Sequence, residues 1–242
     1  MRGPSVLRRL RARALDRRVA AGVFSLAAVA VLCAAAGARS NAPKSSAPAA
    51  ADAAAARDLV ARMRAGEHGS WRASYEFTRT LPDGRMLRQP MSEARHQALH
   101  VLVSGSAMTV ERDGRGYDCT LVDERAACHA SSRGRVIPAS EVLRIAIAAG
   151  GYAVGRLPPD TIAGVPAQCF RVTSTGRGLL PDLGTETESC LSATGVPLRQ
   201  RVVRAEGGSD ERDARSVEEH AGPRAVVALE RSFGGGPASE LP

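Results

Sequence analysis

The sequence predicts a mainly β domain of the α+β class, an antiparallel meander interrupted once by a helix. Three observations predict it. WRASYEFTRT alternates cleanly, with Trp71, Ala73, Tyr75 and Phe77 on one face and Arg72, Ser74, Glu76 and Thr78 on the other. Pro82-Asp83-Gly84 and Asp113-Gly114 are hairpin turn signals separated by strand-like runs such as HVLV and AMTVER. PASEVLRIAIAAGG then breaks the rhythm with apolar residues three and four apart.

The chain has 242 residues, 44% of them hydrophobic, and is long enough to bury a core. Its formal charge of +8 suggests a nucleic-acid binder until the charges are located. Arg2, Arg8, Arg9, Arg11, Arg13, Arg17 and Arg18 stand against Asp16 alone before Val19, so six of the eight net charges lie there and about two remain for the rest. A nearly balanced domain carries no electrostatic footprint for phosphates, and no nucleic-acid partner is expected.

The basic segment, residues 1–18, leads into VAAGVFSLAAVAVLCAAAGA, Val19 to Ala38, without a charge. Twenty helical residues span about 30 Å, the thickness of a bilayer core. Arginines on the N-terminal flank hold that end in the cytoplasm and send the following domain outward. Residues 19–38 therefore read as a single-pass signal anchor in the cell membrane. Ala36-Gly37-Ala38 also fits a signal-peptidase site, and cleavage after Ala38 would secrete the domain. In a lipoprotein reading Cys33 would be acylated, but Val31 and Leu32 are bulky where such sites want small residues.

Residues 39–51 form a linker within the Ala, Pro and Ser tract NAPKSSAPAAADAAAA. The folded domain, 52–233, opens with ADAAAARDLVARMRAG, where Leu59, Val60 and Met63 recur at helical spacing and Gly66 offers a stop. After the alternating strand and its DG hairpins, GYDCTLVDERAACHA supplies a hairpin with a cysteine on each arm.

Ser140 is the expected N-cap of the mid-chain helix, with Glu141 in its first turn and Gly150-Gly151 as its end. Val142, Ile145, Ala146 and Ala149 form its apolar set, and Leu143 and Ile147 widen it nearly all round, which predicts burial on most sides in the concavity of a curved sheet. Strands resume with TIAGVPAQCFRVTST, continue with the hairpin ESCLSATGVPLRQRVV, and end with RAVVALERSF. GGGPASELP, residues 234–242, is a flexible tail.

Export makes the cysteines interpretable, because thiols outside the cytoplasm tend to be oxidised. Cys119, Cys128, Cys169 and Cys190 allow three connectivities. Pairing Cys119 with Cys128 and Cys169 with Cys190 is favoured, since each pair falls on neighbouring strands. A zinc site would want a C-x-x-C pair, which is missing, and no metal is expected.

Catalytic motifs are missing too. There is no G-x-S-x-G elbow and no P-loop, and GRGLLPDLG and GGG are too irregular to cradle phosphates. Glu93, His96 and His100 in EARHQALH would share a helical face, but a strand is expected there and the histidines read as solvent-facing. His68, His129 and His220 have no motif partner. The chain reads as a non-enzyme without a cofactor.

The leading helix, the aromatic strand, the DG hairpins and the mid-chain helix, followed by Gly164-Val165-Pro166-Ala167 and Thr194 to Arg199, resemble the LolA-like superfamily of envelope proteins. That superfamily includes lipoprotein carriers, lipid-carrier lipoproteins and the N-terminal domain of RseB. The resemblance covers residues 52–233. Two departures stand out: the cysteines are not general in the family, and Ser189-Cys190-Leu191-Ser192 replaces an aromatic-acidic strand end.

The resemblance implies a curved antiparallel sheet or half-barrel with the N-terminal and mid-chain helices packed on its concave face. Its implied use is to hold an acyl chain, a lipid or a lipidated protein, each buried methylene contributing about 0.8 kcal/mol. Trp71, Tyr75, Phe77, Val101, Val103, Val142 and Ile145 are the candidate cavity residues. The RseB likeness implies an alternative, an extracytoplasmic sensor acting through a membrane protein partner such as an anti-sigma factor.

Overall fold

A computed structural model describes residues 52–122, 125–177, 180 and 182–232. The expected cytoplasmic segment, anchor, linker and tail lie outside these residues. No described helix is long and apolar enough to cross a membrane.

Helix α1 (Ala53–His68) is followed by six strands: β1 (Ser70–Thr80), β2 (Met86–His96), β3 (Leu99–Ser104), β4 (Ala107–Arg112), β5 (Arg115–Val122) and β6 (Arg125–Arg135). After α2 (Ala139–Ala148) come β7 (Tyr152–Arg156), β8 (Asp160–Ile162), β9 (Val165–Ser174), β10 (Glu186–Leu191), β11 (Pro197–Val203), β12 (Ser209–Glu219) and finally α3 (Pro223–Ser232). The strands lie in the order β6-β5-β4-β3-β2-β1-β12-β11-β10-β9-β7, with β8 on β9. Every pairing is antiparallel, and β6 and β7 stand at the two ends of this order without pairing to each other. This is the open, mainly β sheet with N-terminal and mid-chain helices that the sequence predicts.

Asp52 caps α1, its side chain accepting from the Ala54 and Ala55 amides at 2.9 and 3.1 Å. Gly66 does not end the helix, as expected from the sequence, but lies buried inside it. A Cβ at Gly66 would collide with the carbonyl of Gly195, and a Cβ at Gly195 with that of Arg62. Glycine therefore sets how closely α1 approaches the β10–β11 turn. Arg62 Nη1 donates to the Ser192 carbonyl there at 3.0 Å.

The mid-chain helix departs from its expected burial. Pro138, not Ser140, occupies the cap position, and Ser140 sits in the first turn where its amide and hydroxyl donate to the Glu67 carboxylate at 2.7 and 2.5 Å. That carboxylate does the capping from outside the helix. Leu143 is buried against Leu59, Tyr152 and Phe170, whereas Ile145 is 53% exposed. Among the described residues the wide apolar stripe is thus covered on one side only, where α2 packs on α1 and β7.

RAVVALERSF, expected as a strand, is helical up to Ser232. Pro223 suits a first helical position, and Val226 and Leu229, three apart, insert among Ala94, Val101 and Val110. The last strand is instead β12, whose sequence SDERDARSVEE is too polar to advertise itself.

Both favoured disulfides form, Cys119–Cys128 and Cys169–Cys190, at directly opposed positions of β5–β6 and β9–β10. They mark an oxidising, extracytoplasmic setting for the domain. Gly195→Ala, which places a Cβ at φ 86° against the Arg62 backbone, is expected to cost about 2 kcal/mol or more. Denaturant unfolding under non-reducing conditions measures it.

Candidate functional site

Cross-strand register gathers a row of charged side chains on one face of the central strands. Ala73 opposes Glu93, Glu93 opposes Leu102, Arg95 opposes His100, and His100 opposes Glu111. Directly opposed residues share a face, so β2, β3 and β4 contribute charged groups to one row, with Ala73 of β1 beside it. From the other side, Phe77 opposes Arg212 of β12.

The row is continuous. Arg212 Nη1 donates to Glu93 Oε2 at 3.0 Å, and Glu93 Oε1 lies 2.8 Å from His100 Nε2. His100 Nδ1 lies 3.1 Å from Glu111 Oε2, which also receives Arg95 Nη2 at 3.4 Å. Positive and negative groups alternate along it. Both His100 nitrogens face carboxylates, and a neutral ring can donate from only one, so the geometry calls for the imidazolium.

The electrostatics agree. Burial alone would raise the Glu93 pKa, but Arg212, His100 and Arg95 outweigh it and hold the group at about 2. For His100, burial favours the neutral ring, but the hydrogen bonds it donates to Glu111 and Glu93 prevail and its pKa is raised. The His100 hydrogen bond lowers the Glu111 pKa against the effect of burial. Tyr75 is pushed well above its ordinary value, by burial first and by Glu93 next.

Tyr75 OH donates to the Pro197 carbonyl at 2.8 Å, and the Arg212 guanidinium sits 5.5 Å from its ring centroid. Arg212 Nε is buried without a hydrogen-bond partner. At the far end, Arg95 Nη1 donates to the Glu67 carbonyl at the end of α1, and Glu67 holds Ser140 of α2. The row therefore runs from the sheet through α1 to the first turn of α2.

The sequence-based reading of these histidines needs correction. His100 is not solvent-facing, its side chain being 15% exposed. Glu93 and His100 do meet, across the β2–β3 hairpin. His96 instead pairs its Nδ1 with Ser70 Oγ at 2.9 Å. Among the described residues no group of three or more potential ligands is arranged to hold a metal.

The seven candidate cavity residues fall in three places. Trp71 and Tyr75 are buried with Met91, Val196, Leu198 and Ala214, and Phe77 packs at their edge. Trp71 also donates its indole N–H to the Gly66 carbonyl at 2.9 Å. Val101 and Val103 lie with Met108 and Tyr117 on the opposite face, beneath Val226 and Leu229 of α3. Val142 and Ile145 belong to α2. An open groove of about 590 Å³ lies elsewhere, between Arg62, Asp160, Thr161, Pro166 and Gln168.

A second feature of the charged face was not visible in sequence. Leu102, Thr109 and Asp118 oppose one another along β3, β4 and β5, as do Ser104, Ala107, Thr120 and Ala127 on to β6. Ala107, Thr120 and Ala127 are exposed and Leu102, Ser104 and Thr109 half-buried. The apolar contacts of α1 and α2 go to β7, β9 and β10 instead. This leaves a band of small side chains beside the charged row, interrupted by Asp118.

No family model matches the chain, and no curated protein matches it. Similar solved structures include the Pseudomonas aeruginosa MucA/MucB complex, with 17% identity, 71% of this chain and 60% of that chain covered, and a TM-score of 0.48. A structure of MucB is 19% identical over 70% of this chain and 60% of that one, with a TM-score of 0.46. A LolA superfamily protein from Nitrosomonas europaea is 7% identical over 71% and 96%, with a TM-score of 0.33. The likeness is one of fold. The chain spans about 60% of the length of the first two structures it matches.

The charged row gives stability a two-sided pH dependence. Glu93, ordinarily at 4.5 and held at about 2, contributes fully above about 4.5 and loses its contribution as pH falls through 2. His100, ordinarily at 6.5 and raised here, contributes fully below 6.5 and loses its contribution as pH climbs through the raised value. Glu93→Gln is expected to cost about 3 kcal/mol at pH 6, by leaving buried cations short of a partner, and to weaken both limbs. Urea unfolding across pH 2 to 9 checks this.

Proposed function

We propose that this chain is an exported, membrane-anchored and non-catalytic domain that binds a hydrophobic ligand, an acyl chain, lipid or lipidated protein, in the cell envelope. The observation that carries the reading is the half-covered face of the sheet. Helices α1 and α2 pack through apolar side chains onto β7, β9 and β10, while the band around Leu102 and Thr109 has small side chains and partial exposure. An aliphatic chain laid there would bury methylenes against Leu102, Ala107 and Ala127 without polar recognition.

The charged row flanks this seat, and its groups engage one another. Glu93 and His100 already use their hydrogen-bonding atoms on Arg212 and Glu111. A row whose carboxylates and imidazole are engaged in this way bounds an apolar ligand and supports the non-catalytic reading. Trp71 and Tyr75 serve this reading from the core, holding β1 beside the charged row.

Residues 19–38 would anchor the domain, and 39–51 would space it from the membrane. The resemblance to RseB extends the reading to a sensor whose ligand-bound state acts on a membrane protein partner such as an anti-sigma factor.

Native mass spectrometry of residues 39–242, purified from an oxidising compartment, tests the binding role when followed by organic extraction and lipid analysis. A bound lipid is expected, together with the loss of four hydrogens for the two disulfides. Ala107→Asp with Ala127→Asp, both at exposed positions of the band, should remove the lipid and leave the disulfides and the fold. A wild-type protein that is empty and ignores added fatty acids and phospholipids would overturn the reading.

A further inference from the structure

Helix α2 presents two apolar sides with different fates. Leu143 is buried and Ala146 and Ile147 pack beside it in the α1–β7–β9 cluster. On the other side Ile145 is 53% exposed, and Ile137, just ahead of the helix, is 61% exposed. Val142 is half-buried and Ala148 and Ala149 exposed, so Val142, Ile145 and Ala149 recur at helical spacing as an uncovered stripe.

Arginines rim this stripe. Arg144 adjoins Ile145 and is 51% exposed, with Glu141 as its partner at 2.5 Å. Arg64 of α1 is exposed and close enough to act on Glu141 electrostatically. Arg177 is exposed and places its guanidinium beside Gly150, at the C-terminal end of α2. Three positive charges thus stand around the Glu141 carboxylate, with Glu67 as a second carboxylate at the first turn of the helix.

The chain's own attachment point is close by. The Asp52 amide, where α1 begins, donates to the Val154 carbonyl at 3.1 Å, and Val154 lies six residues after the end of α2. Thirteen residues, 39–51, separate Asp52 from the apolar stretch 19–38. Fully extended, they reach about 45 Å. An anchor at 19–38 therefore allows this end of α2 to reach the bilayer.

We infer that the exposed side of α2 docks the domain onto an anionic phospholipid bilayer. Ile137, Val142 and Ile145 enter the boundary between headgroups and acyl chains, and Arg64, Arg144 and Arg177 meet lipid phosphates. The inference rests on the anchored reading for its tether and is independent of the ligand seat on the sheet. Docking would hold the domain with α2 toward the membrane.

Hydrogen exchange on the full chain tests this, after reconstitution into nanodiscs of phosphatidylcholine alone or with about 30% phosphatidylglycerol. Amides of residues 139–150 are expected to exchange about tenfold more slowly in the anionic discs, and high salt should reverse the effect. Ile145→Ser and Arg177→Gln, both at exposed positions, should remove the protection without lowering the thermal unfolding temperature. Equal exchange in the two discs, or protection that survives both substitutions, would overturn the docking and leave the anchor standing. A chain recovered free of both discs would overturn anchor and docking together.

Discussion

The pairing of β1 with β12 joins two meanders that are far apart in sequence, β2 to β6 on one side and β11 to β7 on the other. Ten residue pairs hold this seam, from Trp71 with Glu219 to Thr80 with Ser209. Closing so long a loop is slow, since its entropy must be lost before any contact forms. A bulge at Ser74/Tyr75 shifts the register by one residue. Without that shift Arg212 would fall on the opposite face from Tyr75 and Glu93, because a one-residue slip turns every side chain over. The bulge is therefore what allows the buried Glu93 to meet its arginine, and what sends the neighbouring Asp213 to Arg199 at 2.6 Å.

Buried charges are a poor source of net stability and a strict test of register. Removing ions from water costs several kcal/mol each, and the alternating order from Arg212 to Arg95 recovers that cost only when all five groups are aligned. A slipped β2 or β3 would leave Glu93 or His100 buried without its counter-charge. The row thus favours one alignment of five strands over its neighbours. In a chain with 3% aromatic residues this constraint on register adds to what apolar packing supplies.

Much of this fold was legible in sequence, for local reasons. Strand alternation at Trp71 to Phe77, the DG turns and the opposed cysteines all report on neighbours a few residues away. The failures are non-local. RAVVALERSF carries two adjacent valines that favour a strand, and only the apolar patch of Ala94, Val101 and Val110 gives Val226 and Leu229 a reason to be helical. Ile145 was expected inside because its helix is apolar nearly all round, yet what covers a helix depends on tertiary neighbours. The charged row had one local signal. A two-residue turn at Gln97-Ala98 places Arg95 opposite His100, but Arg212 lies 119 residues from Glu93 and depends on a bulge that no motif announces.

The covalent links respect the same division into two halves. Cys119–Cys128 lies within the β5–β6 end and Cys169–Cys190 within β9–β10, so neither crosses the seam between β1 and β12. Neither ties a helix to the sheet. Each half is stiffened internally, by an amount of order 2 to 4 kcal/mol per disulfide, while α1 meets the β2 side through the Arg95 contact with the Glu67 carbonyl. Apolar packing holds α1 and α2 to one half, and hydrogen bonds tie them to the other. Polar links of that kind exchange with water at modest net cost. The half of the sheet that carries the open band is thus also the half from which the helices can separate without breaking a core.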